Sequence, residues 1–323
     1  MSNIKPSYDI TIIGSGHNGL VAACYLAKAG LSVLVLERNA EIGGATRSTH
    51  VFDGVDAKLS VYSYLVSLFP EKIISDLSLN LQLRSRRTAS WTPSIENGKM
   101  RELLIRNGAS NGNREAFVEL TGDEHDYRGF LELQEMQKSL AAVLWPSLTS
   151  PLVTREEMRG RLDREGERAW QALIEEPIGG VIERLISDDL IRGLVFTDGR
   201  IGISTFPHDS SLLQNRSFLY HIIGRGTGEW QVPVGGMGAL VDELVRVAGT
   251  TGRVTIATGA NVGSVSPGKK HSSVEFELDG QEHEVDTRFV LCNASAQVLE
   301  KLTGGRNVSA ADLIEGAGFK VNM

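Results

Sequence analysis

The first apolar run of the chain, "DITII" at 9–13, is continuous rather than alternating, the pattern of a parallel strand buried on both faces. From Asn18 the period changes. "NGLVAACYLAKAG" spaces its apolar positions three and four apart and stops at Gly30, which predicts a helix. "LSVLVLE" then predicts a second strand, so a βαβ unit occupies about thirty residues. Toward the other end, "RVTIATGANVGSVSP" reads as strands, and "SVEFELDGQEHEV" reads as a hairpin turning at Asp279-Gly280. "TRFVLCNAS" predicts a further buried strand. Between these ends, over roughly 100–230, "GFLELQEMQKSLAAVLW" and "PIGGVIERLISDDLIRGLVF" carry amphipathic helical spacing and predict an inserted domain.

The turn between the first strand and helix is "GSGHNG". Gly14 permits a tight turn, Gly16 lets a pyrophosphate reach the backbone, and Gly19 lets helix and strand pack closely. The helix N-terminus then offers its free N–H groups and positive dipole end to an anion. Ser15, His17 and Asn18 complete the loop. A glycine triplet alone is a weak signal, but this one follows a strand, opens a helix and precedes Glu37 by 23 residues, counted from Gly14. A carboxylate at that place, with Arg38 beside it, is positioned for ribose hydroxyls. The combination predicts dinucleotide binding.

Composition narrows the remaining chemistry. The 323 residues allow one large or two smaller domains, and 41% hydrophobic with 23% charged residues is a globular balance. A formal charge of −7 argues against a nucleic-acid surface, and the local run Arg84, Arg86, Arg87 reads as solvated. Cys24 and Cys292 stand far apart with no CxxC pair, so no dithiol redox motif is present and both read as packing residues. His17, His50, His125, His208, His221, His271 and His283 show no ligand spacing, and no metal site is expected. The chain shows no secretory pattern and no apolar run of membrane-spanning length. A cytoplasmic protein is expected, with peripheral membrane contact left open.

Beyond Glu37, "ERNAEIGGATRS" adds a second glycine pair and an arginine. Here the chain resembles the FAD-dependent amine oxidase and phytoene desaturase superfamily. "VPVGGMGALVDEL" at 232–244 and "GANVGSV" resemble further elements of its desaturase-like side. "GHNGLVAACYLAKAGLSVLVLER" is similar to the branch that includes the pyridine nucleotide-disulfide oxidoreductase domain-containing protein 2, although no redox dithiol is present. The resemblance covers about 8–70 and 215–323. It implies that Gly43, Gly44, Ala45, Thr46 and Arg47 lie along an FAD, joined by Gly235, Gly236, Met237 and Val262.

The fold implied is α/β: a Rossmann-like FAD-binding domain with an inserted α+β substrate domain. Its parts are 1–99 and 231–300 for the FAD domain, 100–230 for the helical substrate domain, and 301–323 for a return into the latter. The activity implied is hydride removal from a small, apolar organic substrate by FAD, with orientation and electrostatics as the protein's share. His221 and Tyr220, in "FLYHIIGRGTGEW", are the candidates for the substrate side, and core packing is the alternative for them and for Trp230. A nicotinamide-dependent dehydrogenase and a non-catalytic binding or scaffold subunit stay open. The resemblance also implies that "GAGFKVNM" falls inside the substrate domain, ahead of a second, flavin-facing glycine turn. The expectation is a split enzyme completed by a second polypeptide, with a truncated product as the alternative.

Overall fold

The computed structural model describes residues 4–108 and 110–305. Strand β1 (Ser7–Ile13), helix α1 (His17–Lys28) and strand β2 (Val33–Glu37) form the expected βαβ unit. All five residues of β2 are buried, because helices or strands cover both of its faces. A loop containing one 3₁₀ turn (Gly44–Thr46) leads to a small ribbon, β3 (Ser48–His50) against β4 (Lys58–Ser60). Next come α2 (Glu71–Asp76), β5 (Leu83–Ser85) and a hairpin of β6 (Thr88–Glu96) with β7 (Lys99–Arg106).

Seven helices follow: α3 (Ser110–Thr121), α4 (His125–Leu144), α5 (Arg155–Arg159), α6 (Arg164–Trp170), α7 (Ile178–Leu185), α8 (Asp189–Arg200) and α9 (Leu213–Ile222). The "PIGGVIERLISDDLIRGLVF" stretch is thus two helices. The break at 186–188 is built by carboxylates: Asp126 in α4, 2% exposed, accepts from the N–H groups of Ser187 and Asp188 at 2.7 and 2.8 Å. Asp188 in turn caps α8 by accepting from Leu190 and Ile191. These helices share one core with the β6–β7 hairpin, since Leu103 and Ile105 bury against Phe117, Met136 and Ile186. The hairpin therefore straddles residue 99 and packs with the helices.

The chain returns through β8 (Gln231–Pro233), which pairs with β5, and α10 (Gly238–Thr250), which packs beside α1. Strands β9 (Val254–Thr258), β10 (Asn261–Ser266), β11 (Ser272–Leu278) and β12 (Gln281–Cys292) then complete a six-stranded sheet in the order β10-β11-β12-β1-β2-β9. Its central pairs are parallel, with Ile12 opposite Val35 and Val35 opposite Ile256. The β11–β12 turn takes positive φ at both Asp279 and Gly280, the geometry of a type I′ hairpin. Cys24 is buried between α1 and α10, where its thiol meets the Leu244 carbonyl at 3.3 Å and burial pushes it up to about 11. It is a packing residue.

Strand β12 corrects one expectation. Its second half pairs in parallel with β1 as a buried strand would, yet Phe289 is 60% and Leu291 39% exposed. Pairing with β11 ends at Thr287, so from Arg288 onward β1 is the strand's partner among the described residues. Helix α11 (Ala296–Leu302) follows, and the larger part of the 301–323 segment, 306–323, lies outside the described residues. Among the described residues no helix is long and apolar enough to cross a membrane.

The tightest helix crossing gives a test. A Cβ on Gly129 of α4 would sit 1.8 Å from the Leu185 carbonyl oxygen at the end of α7. Gly129→Ala is expected to cost about 1–3 kcal/mol, the usual scale of overpacking. Gly180→Ala, where nothing lies within 4 Å, should be neutral or stabilising. Urea unfolding of both variants beside the parent checks the pair.

Candidate dinucleotide site

Strand β1 runs into Gly14, whose N–H donates to the Leu36 carbonyl at 2.8 Å and whose φ is +95°. The turn is therefore tied to β2 and suited to glycine. A Cβ on Gly19 would lie 2.5 Å from the Gly14 oxygen, so α1 reaches the strand end only because Gly19 has none. Gly16 occupies the helix N-cap with no side chain to cap it. The first N–H groups of α1 consequently lack a capping acceptor, the arrangement that receives a phosphate.

Glu37, at the end of β2, is 6% exposed and holds this turn together. Its Oε2 accepts from the Ser15 N–H at 2.9 Å and the Ser15 hydroxyl at 2.7 Å. Its Oε1 accepts from the Asn39 N–H and side-chain amide, both at 2.9 Å. An ionised carboxylate offers about four acceptor positions, and these four donors fill them. Glu37 is thus engaged within the protein at the place where the sequence reading sets ribose hydroxyls. A ribose reaches it only by displacing a donor, and the exposed Asn39 side chain is easier to move than the buried Ser15. Burial pushes the Glu37 carboxyl up, but the combined hydrogen bonds from Asn39 and Ser15 outweigh it and hold the group below its ordinary value.

The second glycine loop closes over the first. Gly43 donates to the Ser15 carbonyl at 3.1 Å, and a Cβ on Gly44 would come within 3.3 Å of the Gly16 Cα. Thr46 Oγ1 lies 3.0 Å from His17 Nδ1, and burial pushes the His17 imidazole down, toward the neutral form. Behind Gly43 stands Val241 of α10. The Gly235-Gly236 turn that opens α10 has positive φ at both glycines, Met237 is buried, and Gly238 donates to Ser48 Oγ at 2.9 Å. Gly259 and Ala260 donate to the carbonyls of Asn39 and Glu37, which sets Val262 of β10 alongside. Arg47 Nε is ion-paired with Glu41 Oε2 at 3.3 Å, without the alignment of a hydrogen bond. Asn18, Arg38 and Ala45 are exposed at the rim.

Every segment read from the sequence as cofactor-binding thus converges on the C-terminal end of β1 and β2. Asn293 was missed. Directly after β12, its side-chain amide donates to the carbonyls of Gly14 and Gly16 at 3.3 and 3.4 Å and pins the glycine turn. Its only sequence signal is its place after a strand. The residues fit a dinucleotide: a glycine-lined approach that a Cβ would fill, and uncapped helix N–H groups. His221 and Tyr220 lie apart from this cradle, in α9. Tyr220 is 60% exposed, which removes core packing as its role. Arg86 departs from the solvated reading, since it is half-buried with its Nε shielded from water.

Because Glu37 bonds within the protein, its removal should be felt without any ligand. Glu37→Ala is expected to lower stability by about 1–3 kcal/mol, the scale for hydrogen bonds to a charged group. Its folded pKa is depressed, so the stabilisation is present at neutral pH and fades as pH falls through the folded pKa, below 4.5. Denaturant titrations of parent and variant should differ at pH 7 and converge in acid.

Residues 12–71 match the NAD(P)-binding Rossmann-like domain family. An uncharacterized protein of Mycobacterium tuberculosis is 42% identical over 327 residues, covering 100% of this chain and 60% of the relative. Pyridine nucleotide-disulfide oxidoreductase domain-containing protein 2 of Mus musculus is 32% identical over 326 residues, covering 91% of this chain and 54% of the relative. The chain therefore spans a little over half the length of these curated relatives. The structure of cyclohexylamine oxidase from Brevibacterium oxydans superposes with a TM-score of 0.52 at 18% identity, over 92% of this chain and 60% of that one, and so shares the fold. The chain thus carries a Rossmann-type dinucleotide-binding unit, is similar over nearly all its length to pyridine nucleotide-disulfide oxidoreductase domain-containing protein 2, and shares the fold of the amine oxidase structures.

Proposed function

We propose that the chain is the dinucleotide-binding part of an FAD-dependent oxidoreductase acting on a small, apolar organic substrate. The observation that carries this reading is the apposition of two glycine loops, with Gly43 bonded to Ser15 and Gly44 against Gly16, at an uncapped helix terminus. In this reading Gly16 and the first turn of α1 bind the pyrophosphate, and Glu37 exchanges its Asn39 bond for a ribose hydroxyl. Thr46, Arg47 and the Gly235-Gly236 turn would hold the rest of the cofactor, and the buried Val241 backs Gly43. Bound FAD supplies the hydride-accepting chemistry. The second glycine loop and its arginine favour FAD over a nicotinamide, whose fingerprint ends at the acidic residue.

A second polypeptide is part of the same proposal. Among the described residues the edge of β12 beyond Thr287 has no second strand beside it, and Phe289 and Leu291 are exposed there, a surface of the kind another strand covers. A monodisperse, fully flavinylated and active preparation of this chain alone would count against it.

Purified protein should show the two-band absorption of an oxidised flavin, whereas a bound nicotinamide or an empty site would sink the FAD reading. Gly16→Val isolates the phosphate contact, because a Cβ there meets only the movable Asn293 amide at 3.0 Å. The variant should keep its circular dichroism and lose at least about 2 kcal/mol of flavin affinity, more than a tenfold change. Unchanged affinity would move the pyrophosphate elsewhere.

A further inference from the structure

The β6–β7 hairpin has two unlike faces. One row of alternate residues, with Leu103 and Ile105 in β7, is buried in the core of the helical domain. The other row points away from that core: Trp91 is 56%, Ile95 80% and Met100 65% exposed, and Leu104 is half-buried. The register sets Trp91 opposite Leu104, Pro93 opposite Glu102 and Ile95 opposite Met100, so these six residues share one face. From Trp91 to Ile95 the face runs about 13 Å, at the rise of an extended strand. Large apolar side chains exposed singly are ordinary, whereas a contiguous row of them marks a surface that meets something apolar.

Charge narrows what that is. The whole chain carries −7, yet residues 84–106 hold six arginines and lysines against two glutamates. Both glutamates are engaged: Glu96 pairs with Arg101 at 2.8 Å, and Glu102 accepts from the Trp91 indole N–H at 2.7 Å. Arg101 is further taken up by Asp188 at 2.6 Å. Lys99, Arg106, Arg84 and Arg87 are exposed and make no ion pair among the described residues. Lys99 stands at the turn end of the apolar row and Arg106 at its far end, opposite Thr88, so free cations bracket the row. The hairpin is a two-stranded sheet of its own, and Pro93 has no N–H to offer a further strand. What it presents is therefore a face and not an edge.

From this face we infer that the hairpin is a lipid-docking surface. It lies flat on a bilayer that carries anionic phospholipid, with Trp91, Ile95, Met100 and Leu104 at the acyl boundary and Lys99 and Arg106 among the headgroups. An indole suits that boundary, where its ring is buried and its N–H keeps a polar partner, here Glu102. Each lysine or arginine near an anionic surface strengthens binding about fivefold, and two such cations outweigh the one carboxylate between them. Size decides against a protein occupant: two strands over about 13 Å offer far less than the roughly 800 Å² that each partner gives to a stable protein interface. Lipid docking needs only a few inserted side chains and a charge. The inference does not depend on the cofactor reading.

Sedimentation of the full chain with sucrose-loaded vesicles tests this, using phosphatidylcholine alone and phosphatidylcholine with about a quarter phosphatidylglycerol. The chain is expected to bind the anionic vesicles at least about tenfold more tightly than the neutral ones, and less tightly as salt is raised. Ile95→Ser combined with Met100→Ser should weaken that binding by at least about tenfold. Lys99→Gln combined with Arg106→Gln should cut the preference for anionic vesicles by about tenfold. Leu152→Ser, at a side chain 98% exposed outside the hairpin, should bind as the parent does. All these side chains are exposed, and circular dichroism verifies each fold. Absence of vesicle binding, binding indifferent to Ile95 and Met100, or an equal loss in Leu152→Ser overturns the inference. So does a lipid-free dimer in analytical ultracentrifugation that the Ile95→Ser, Met100→Ser variant dissolves, since the face then belongs to a second copy. None of these measurements requires flavin, so they stand whether or not FAD binds.

Discussion

The Glu37 carboxylate is the interaction on which the rest of this structure depends. It gathers the Ser15 backbone and hydroxyl on one oxygen and the Asn39 backbone and amide on the other. Ser15 belongs to the glycine turn and accepts from Gly43, so one buried charge organises both glycine loops. Burying a carboxylate is costly unless its lone pairs are filled, and here four donors fill them. The same geometry explains why β2 must end at Glu37: a residue earlier or later, the side chain would leave the plane of the turn.

Outside that knot, glycines decide how closely the elements approach. Gly19 lets α1 reach the Gly14 carbonyl, and Gly44 brings the second loop against Gly16. These approaches leave a backbone-lined cleft rather than a side-chain-lined one. Asn293 then ties β12 to the same turn, so the meander returning after α10 also supports the cleft. The consequence is a cradle assembled from four distant parts of the chain, held both by backbone hydrogen bonds and by the side chains of Glu37, Ser48 and Asn293.

The helical domain is linked to this cradle through short ladders and one aromatic chain. β5 pairs with β8, Val66 with Gln231, and Tyr64 leans on Trp230.

The βαβ unit, the glycine turn, the Asp279-Gly280 hairpin and the helical insert were legible in the sequence because each rests on local rules: hydrophobic period, glycine conformational freedom and turn chemistry. The likeness to pyridine nucleotide-disulfide oxidoreductase domain-containing protein 2 was legible too, since it is carried by contiguous motifs. What the sequence could not show depends on long-range contact. The full engagement of Glu37, the clamp by Asn293, the exposure of Phe289 and the half-burial of Arg86 are set by partners far away in the chain. The sequence by itself determined the strand–turn–helix that makes a phosphate site. Only the tertiary structure decided which lone pairs and rings remain unbonded, because bonding is settled by residues that share no local pattern.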